Sequence, residues 1–138
     1  MPRLERIRHR RDFLAAAKAR KWVAGGLILQ MRRRAPEEPQ TAPETARVGF
    51  TASRKIGGAV ERNRAKRRLR AAAAQVLGED AKSGVDYVLI ARPEVTLKRP
   101  YAALLTDLAE ALRRVEAPPR VKDSAKDAPS KPKGEGAP

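Results

Sequence analysis

The chain has 138 residues, of which 41% are apolar and only 4% aromatic, enough for one modest hydrophobic core and too little for two domains. Its 31 Lys and Arg residues against 16 Asp and Glu give a net charge of +15, which favours a polyanionic partner such as nucleic acid. The lack of cysteine excludes disulfides and thiolate zinc sites. Without a signal-like or membrane-length apolar run, the sequence predicts one small cytoplasmic domain.

A short helix followed by a strand is predicted near the start of the chain. The segment Arg10–Arg20 has Asp12 close to its beginning and basic residues toward its end, a distribution that the helix dipole favours. The apolar run WVAGGLILQM at 22–31 then predicts a strand. The next segment, 35–46, contains three prolines and three glutamates, which predict an exposed loop that tolerates insertions.

Two further strands and a long helix complete the predicted domain and make the fold class α+β. RVGFTAS at 47–53 alternates in polarity as a strand does, and the apolar run Asp86–Ala91 suits a well-buried strand. Pro100 opens a helix with an apolar stripe at helical spacing. The stripe consists of Tyr101, Leu104, Leu105, Leu108, Leu112 and Val115. The composition of 117–138 is too polar to pack, so a disordered tail is predicted there.

The segment GGAVERNRAKRRLRAAAA at 57–74 has the most informative charge pattern of the chain. Six of the nine positions from Arg62 to Arg70 are basic. On a helix of about 100° per residue, one narrow apolar seam would pack while the basic side chains face outward. The seam consists of Ala65, Leu69, Ala72 and Val76.

This helix lacks the internal charge pairing of an ordinary solvated surface helix. Such a helix alternates charge signs at i and i+4, whereas here the i, i+4 pairs are alike, each unfavourable by ~0.2–0.5 kcal/mol. The like pairs are Arg62–Lys66, Arg64–Arg68 and Lys66–Arg70, and only Glu61 opposes them. We therefore expect the compensating charge to come from the phosphates of a nucleic acid.

The stretch RVGFTASRKIGGAVERNRAKRRLRAA resembles the signature of the bacterial ribonuclease P protein family, which is a strand, a basic K-x-G-x-A-V turn and an R-N-R helix. The resemblance extends upstream to RLERIRHRRDF, similar to the family's basic N-terminal helix, and downstream through GVDYVLIARPEV to the last helix. It covers about residues 3–115 and implies one domain over 1–116. The implied fold is a compact α+β sandwich with three helices and a mixed sheet of about four strands, related to a ribosomal-protein domain. Its β-α-β crossover is left-handed, whereas chain-connection rules predict a right-handed one.

The resemblance also implies a function. Proteins of this family assist a large catalytic RNA, their partner, in cutting the 5′ leader from precursor tRNA by metal-assisted hydrolysis. Mg²⁺ is therefore expected, held mainly by the RNA, and no catalytic or metal-binding residue is expected in the protein. The sequence agrees, because its single histidine, His9, lies in a basic stretch and no carboxylate pair has metal-ligand spacing.

Carried over residue by residue, the resemblance implies two RNA-binding surfaces. The residues expected to bind the catalytic RNA are Arg54, Lys55, Arg62, Asn63, Arg64, Lys66, Arg67, Arg68 and Arg70. A cleft between the N-terminal helix and the sheet is expected to hold the single-stranded leader through Phe13, Phe50, Arg8, Arg10, Arg11 and Lys18. Phe13 matches an aromatic residue of that cleft. For Phe50, the alternation of the strand favours a place in the core over a role in base stacking. At two positions where relatives carry further aromatics, the alignment places Ala17 and Met31, so basic side chains would replace part of the stacking.

Three other functions stay open on the sequence alone. A ribosomal or architectural RNA-binding protein would have the same composition, and only the R-N-R signature in its context argues against it. A protein that is a nuclease in its own right is disfavoured, because no acid–base or metal site is recognisable. A membrane-surface helix would need large apolar anchors, whereas the seam here is mostly alanine.

Overall fold

The computed structural model describes residues 4–35 and 45–117. In order along the chain, the elements are β1 (Leu4–Arg6), α1 (Arg10–Ala17), β2 (Arg20–Val23), β3 (Leu27–Arg33), β4 (Ala46–Thr51), α2 (Ala59–Asp80), β5 (Val85–Ala91) and α3 (Tyr101–Glu116). A 3-10 turn, Arg54–Ile56, precedes α2. Most of the predicted Pro/Glu-rich loop, 36–44, and the predicted tail, 118–138, lie outside the described residues. None of the helices in the described ranges is long and apolar enough to cross a membrane.

The strands form one mixed sheet in the order β1-β4-β5-β3-β2. β4 is parallel to both β1 and β5, whereas the β5–β3 and β3–β2 pairs are antiparallel. Because β4 and β5 are parallel neighbours, α2 between them forms a β-α-β crossover. The predicted α+β class with three helices and a mixed sheet is confirmed.

The sheet has five strands, whereas the resemblance implied about four and local patterns predicted three. The two strands that the patterns missed are short edge strands. The apolar run 22–31 is two strands, β2 and β3, joined by a turn at Ala24–Gly26. Glycine is needed in this turn, since a Cβ at Gly26 would lie 2.5 Å from Cδ2 of Leu104. The other addition is β1, which pairs with the start of β4 ahead of α1.

The sheet separates two apolar layers. α2 and α3 pack on one face and form the main core. Ala65, Leu69 and Ala72 of the predicted α2 seam are buried there with Ala73 and Leu77, and Val76 packs at its edge. The predicted stripe of α3 packs there too, with Tyr101 and Leu105 at its edge. On the opposite face, α1 forms a smaller cluster that contains Ile7, Phe13, Ala16, Val88 and Ile90. The chain is therefore a sandwich of three layers, with α1 alone on its side of the sheet.

Candidate nucleic-acid interface

The start of α2 is fixed by a sharp connection from β4. In the preceding 3-10 turn, the Ser53 side chain accepts a hydrogen bond from the Lys55 backbone N–H at 3.3 Å. Gly57 then has φ +144°, a value that strongly favours glycine, so the chain turns sharply into the helix at this residue. The Gly58 N–H donates a hydrogen bond to Glu61 Oε1 at 3.0 Å, so the Glu61 side chain caps the start of the helix. Arg54 and Lys55 are exposed in this turn, next to the R-N-R segment.

The basic residues of α2 lie on two sides of its buried seam. Arg62, Lys66 and Arg70 recur every four residues and form one stripe, with the first two half-buried. The Arg70 guanidinium lies 5.8 Å from the centroid of the Phe50 ring. Asn63, Arg64 and Arg67 are exposed away from this stripe. The helix therefore presents one outward basic surface and one basic stripe beside β4.

Arg68 differs from its neighbours because it bonds within the protein. Its Nη2 donates to the backbone carbonyl of Arg99, and its buried Nε has no hydrogen-bond partner among the described residues. Arg68 thus ties α2 to the loop before α3. In the same region, Arg99 forms a bidentate ion pair with Asp107 at 2.8 and 3.0 Å. An RNA contact of Arg68 stays a prediction.

A groove lies where α1, the end of β4 and α2 meet. Strand β1 pairs with β4 only as far as Arg6 opposite Val48. Past that point, the groove has a volume of about 510 Å³. It is lined by Arg10, Phe13, Phe50, Thr51, Ala52 and Lys66. Residues predicted separately for the leader and for the catalytic RNA thus border the same groove.

The two phenylalanines at the groove differ in environment. Phe13 is half-buried. Its ring lies against the backbone of Gly49. Phe50 is 8% exposed and belongs to the main core, as the alternation of its strand predicted, and Arg6 and Arg70 lie over its ring at 5.4 and 5.8 Å. Phe50 therefore offers little exposed surface to a ligand.

Other predicted leader residues lie outside the groove. Arg8, Arg11 and Lys18 are exposed around α1 but do not line it. Ala17 is also exposed, at the end of α1.

The alignment of Met31 with an aromatic position of the leader cleft is wrong. Its side chain is buried in the main core, on the face that α2 and α3 cover. The adjacent Gln30 pairs with Val88, a residue of the α1 cluster. Because side chains alternate along a strand, Gln30 faces α1. This alternation was visible in the sequence.

A buried cluster of ion pairs under α1 was not predicted. Asp86 is fully buried and accepts hydrogen bonds from Arg32 at 3.0 Å, Arg34 at 2.6 Å and Arg47 at 2.6 and 2.8 Å. Asp12 of α1 lies 3.4 Å from Arg47 and 3.6 Å from Arg32. The hydrogen bond to Asp86 raises the pKa of Arg47 above its ordinary value, although burial acts to lower it. Asp12 and Asp86 thus share two arginines, Arg32 and Arg47.

The sequence contained a signal for this cluster. Arg47 and Asp86 each lie in a run of otherwise apolar strand residues, and a buried charge needs a partner. The register places Asp86 directly opposite both Arg47 and Arg32, so the three form one row across β4, β5 and β3. Only the pairing of the strands could have identified that row.

The carboxylates of the described residues offer no obvious metal site. No group of three or more Asp, Glu, His or Cys side chains comes together within 4–35 and 45–117. The buried carboxylates Asp12 and Asp86 are instead bound by arginines. The residues present therefore do not fit a protein-held Mg²⁺ centre, which needs carboxylate oxygens free to coordinate.

Comparisons with known proteins agree with the motif and the fold. A family model described as Ribonuclease P matches residues 1–116. The ribonuclease P protein component of Ruegeria pomeroyi is 53% identical over 112 residues, covering 81% of this chain and 86% of its own. That of Paramagnetospirillum magneticum is also 53% identical, over 116 residues, covering 83% and 85%.

Two solved structures have the same fold. The ribonuclease P protein from Thermotoga maritima superposes with a TM-score of 0.64 at 26% identity, covering 82% of this chain and 99% of its own. The Staphylococcus aureus protein gives a TM-score of 0.62 at 22% identity, covering 80% and 94%, and this second likeness concerns the fold alone.

Proposed function

Because the chain belongs to the ribonuclease P protein family and is the protein component of that endoribonuclease of tRNA 5′ processing, we propose that its two basic surfaces divide the RNA contacts of the holoenzyme. The outward surface of α2 binds the catalytic RNA. The groove beside α1 binds the 5′ leader of precursor tRNA. A purely architectural RNA-binding role is not favoured, since the curated relatives are named ribonuclease P protein components.

The observation that supports the first contact is unpaired positive charge on α2. Arg64 and Arg67 are exposed, and no ion pair among the described residues joins a basic side chain of α2 to a carboxylate. Asn63 is also exposed on α2, and Arg54 and Lys55 are exposed in the turn that precedes this helix. Arginine donates in a planar fork that suits phosphate oxygens, so an RNA backbone supplies the missing negative charge.

The groove supports the second contact because it combines an aromatic ring with cations. Single-stranded nucleic acid binds where bases can stack and phosphates meet positive charge, and stacking contributes ~1–3 kcal/mol per base. Phe13 supplies the half-buried ring. Arg10 of α1 and Lys66 of α2 line the groove with it. The exposed cations Arg8, Arg11 and Lys18 attract phosphates further along the leader.

The chemistry of cleavage belongs to the RNA in this proposal. Asp12 and Asp86 are held by arginines, so the protein contributes binding and orientation. The Mg²⁺ ions of the reaction are bound mainly by the catalytic RNA. The site of action is the cytoplasm.

The direct test is cleavage of precursor tRNA by the purified chain with and without its cognate catalytic RNA. We expect no cleavage by the protein alone. With the RNA, the protein should lower the concentrations of salt and Mg²⁺ that cleavage requires, because its positive charge offsets phosphate repulsion. Robust cleavage by RNA-free protein would contradict the assignment.

The leader contact is tested by Phe13→Ala in the reconstituted holoenzyme. We expect weaker binding of precursor tRNA and unchanged binding of mature tRNA, since only the precursor has a leader. Leu14→Ala is the matched control, because Leu14 lies next in α1 and is 50% exposed. If Phe13 is only a core residue, its truncation should destabilise the fold by roughly 3–5 kcal/mol without any bias between the two RNAs.

A further inference from the structure

Helix α1 depends on tertiary contacts for its orientation. It has only eight residues, and its N-cap, His9, makes no side-chain capping bond. Isolated helices shorter than about 12–15 residues are marginal in water. It is held by the packing of Phe13 and Ala16 in the smaller apolar cluster, where the Phe13 ring lies against Gly49. Its Asp12 carboxylate also contacts Arg47 and Arg32.

The Asp12 contact links α1 to the central strands. Asp12 is 6% exposed, and its Oδ2 lies 3.4 Å from Nη1 of Arg47. Arg47 uses its other two nitrogens, Nε and Nη2, to bind Asp86 at 2.8 and 2.6 Å. One guanidinium therefore connects a helix on the sheet face to β5.

We propose that Asp12 is a positioning residue for leader recognition, which orients α1 through Arg47 so that Arg10 and Phe13 border the groove correctly. Both residues lie within one helical turn of Asp12, so a tilt of α1 moves them together. Asp12 itself does not line the groove and acts through the helix. This inference rests on the proposed function of the groove.

Charge and position predict opposite effects for Asp12→Asn. The substitution removes one negative charge from a chain of net charge +15. On electrostatic grounds alone, every RNA should then bind more tightly, precursor and mature tRNA alike. If Asp12 positions α1, the precursor alone should bind more weakly. The sign and the selectivity of the change therefore separate the two causes.

The experiment measures the dissociation constants of precursor and mature tRNA for the holoenzyme reconstituted with each variant. For Asp12→Asn, we expect about a five- to tenfold loss of precursor affinity, the value of part of one stacking contact, and unchanged mature tRNA affinity. Asp12→Glu keeps the carboxylate and should recover most of the loss. The matched control is Asp107→Asn, because Asp107 is 8% exposed and paired with an arginine, but lies on α3.

Hydrogen exchange of the α1 amides gives a second readout in the same holoenzymes. Exchange should speed up in Asp12→Asn and stay unchanged in Asp107→Asn. Equal effects of Asp12→Asn on both tRNAs, or a precursor-specific loss in Asp107→Asn, would overturn the proposal. If Phe13→Ala selects against the precursor and Asp12→Asn does not, only the positioning role is wrong. If neither substitution does so, the proposed leader groove fails and this inference fails with it.

Discussion

The ring of Phe13 lies so close to the backbone of Gly49 that a Cβ at position 49 would fall 2.5 Å from Cε1 and 2.6 Å from Cζ. Carbon atoms pack at about 3.5–4.0 Å, so any side chain at 49 must push the ring away. The approach of α1 to the sheet thus depends on a residue without a side chain in the middle of β4.

Gly49→Ala should therefore destabilise the domain, because α1 must shift or the ring must leave its position. We expect a loss of roughly 1–3 kcal/mol, as for other overpacked sites, measured as the change in urea unfolding. Gly78→Ala is the matched control, since nothing lies within 4 Å of a Cβ there. Within the last turn of α2, it should stabilise by up to about 0.5–1 kcal/mol. A similar loss in both variants would show that contact with Phe13 is not the cause.

The basic residues of α2 should divide into two groups on substitution with glutamine. Arg64→Gln with Arg67→Gln should leave stability unchanged or slightly higher, because like-charge repulsion falls. Affinity for the catalytic RNA should fall, and the slope of log affinity against log salt should shrink by roughly 0.7–0.9 for each lost phosphate contact. An unchanged salt slope would contradict an RNA contact at these residues.

Arg68→Gln should instead lower stability by about 1 kcal/mol, because the hydrogen bond to the Arg99 carbonyl is lost. Urea unfolding of the single variant measures this change beside the double variant. If Arg68→Gln reduces the salt slope and leaves unfolding unchanged, its role is RNA binding, as first predicted from the motif.

Tyr87 should make the free energy of unfolding fall at alkaline pH. Burial raises the pKa of its hydroxyl from 10.0 to about 12, and the hydroxyl accepts a hydrogen bond from the Lys82 N–H. The unfolded chain loses this proton near pH 10 while the folded chain keeps it, so the contribution is present below pH 10. It is lost as the pH rises toward 12, by up to about 3 kcal/mol.

The measurement is urea unfolding at pH 9 and at pH 11 for the wild type and for Tyr87→Phe. Lysines also titrate in this range, and the variant keeps all of them, so the difference between the two proteins isolates the tyrosine. Equal losses of stability in both proteins would refute a raised pKa at Tyr87.

Removal of residues 119–138 should leave folding and holoenzyme activity nearly intact. This segment has little apolar content and little net charge, and it lies outside the described residues and outside the 1–116 family match. Thermal unfolding followed by circular dichroism, together with precursor cleavage, would test this. A large fall in melting temperature would show that the segment packs on the domain.

Local patterns were sufficient to predict the helices and strands whose own residues show a regular apolar spacing. The seam of α2 and the stripe of α3 follow from spacing, and the buried strand at Asp86–Ala91 follows from its apolar run. The hairpin at Ala24–Gly26 was missed because the apolar character continues through the turn. The role of Asp12 was also missed, since its partners, Arg32 and Arg47, come from two strands distant in sequence. Contacts of this kind depend on strand order and register, which no local pattern contains.

Strand β4 lies between α1 and the core under α2, and therefore between the two proposed RNA-binding surfaces. Val48 and Phe50 belong to the core under α2, whereas Arg47 and Gly49 contact residues of α1. In a saturation mutagenesis scan of this strand, substitutions at Val48 should alter assembly with the RNA subunit, whereas substitutions at Arg47 and Gly49 should alter discrimination between precursor and mature tRNA. Substitutions at Phe50, which also lines the groove beside α1, should affect both. Natural variation could then tune substrate selection and assembly separately within six consecutive codons.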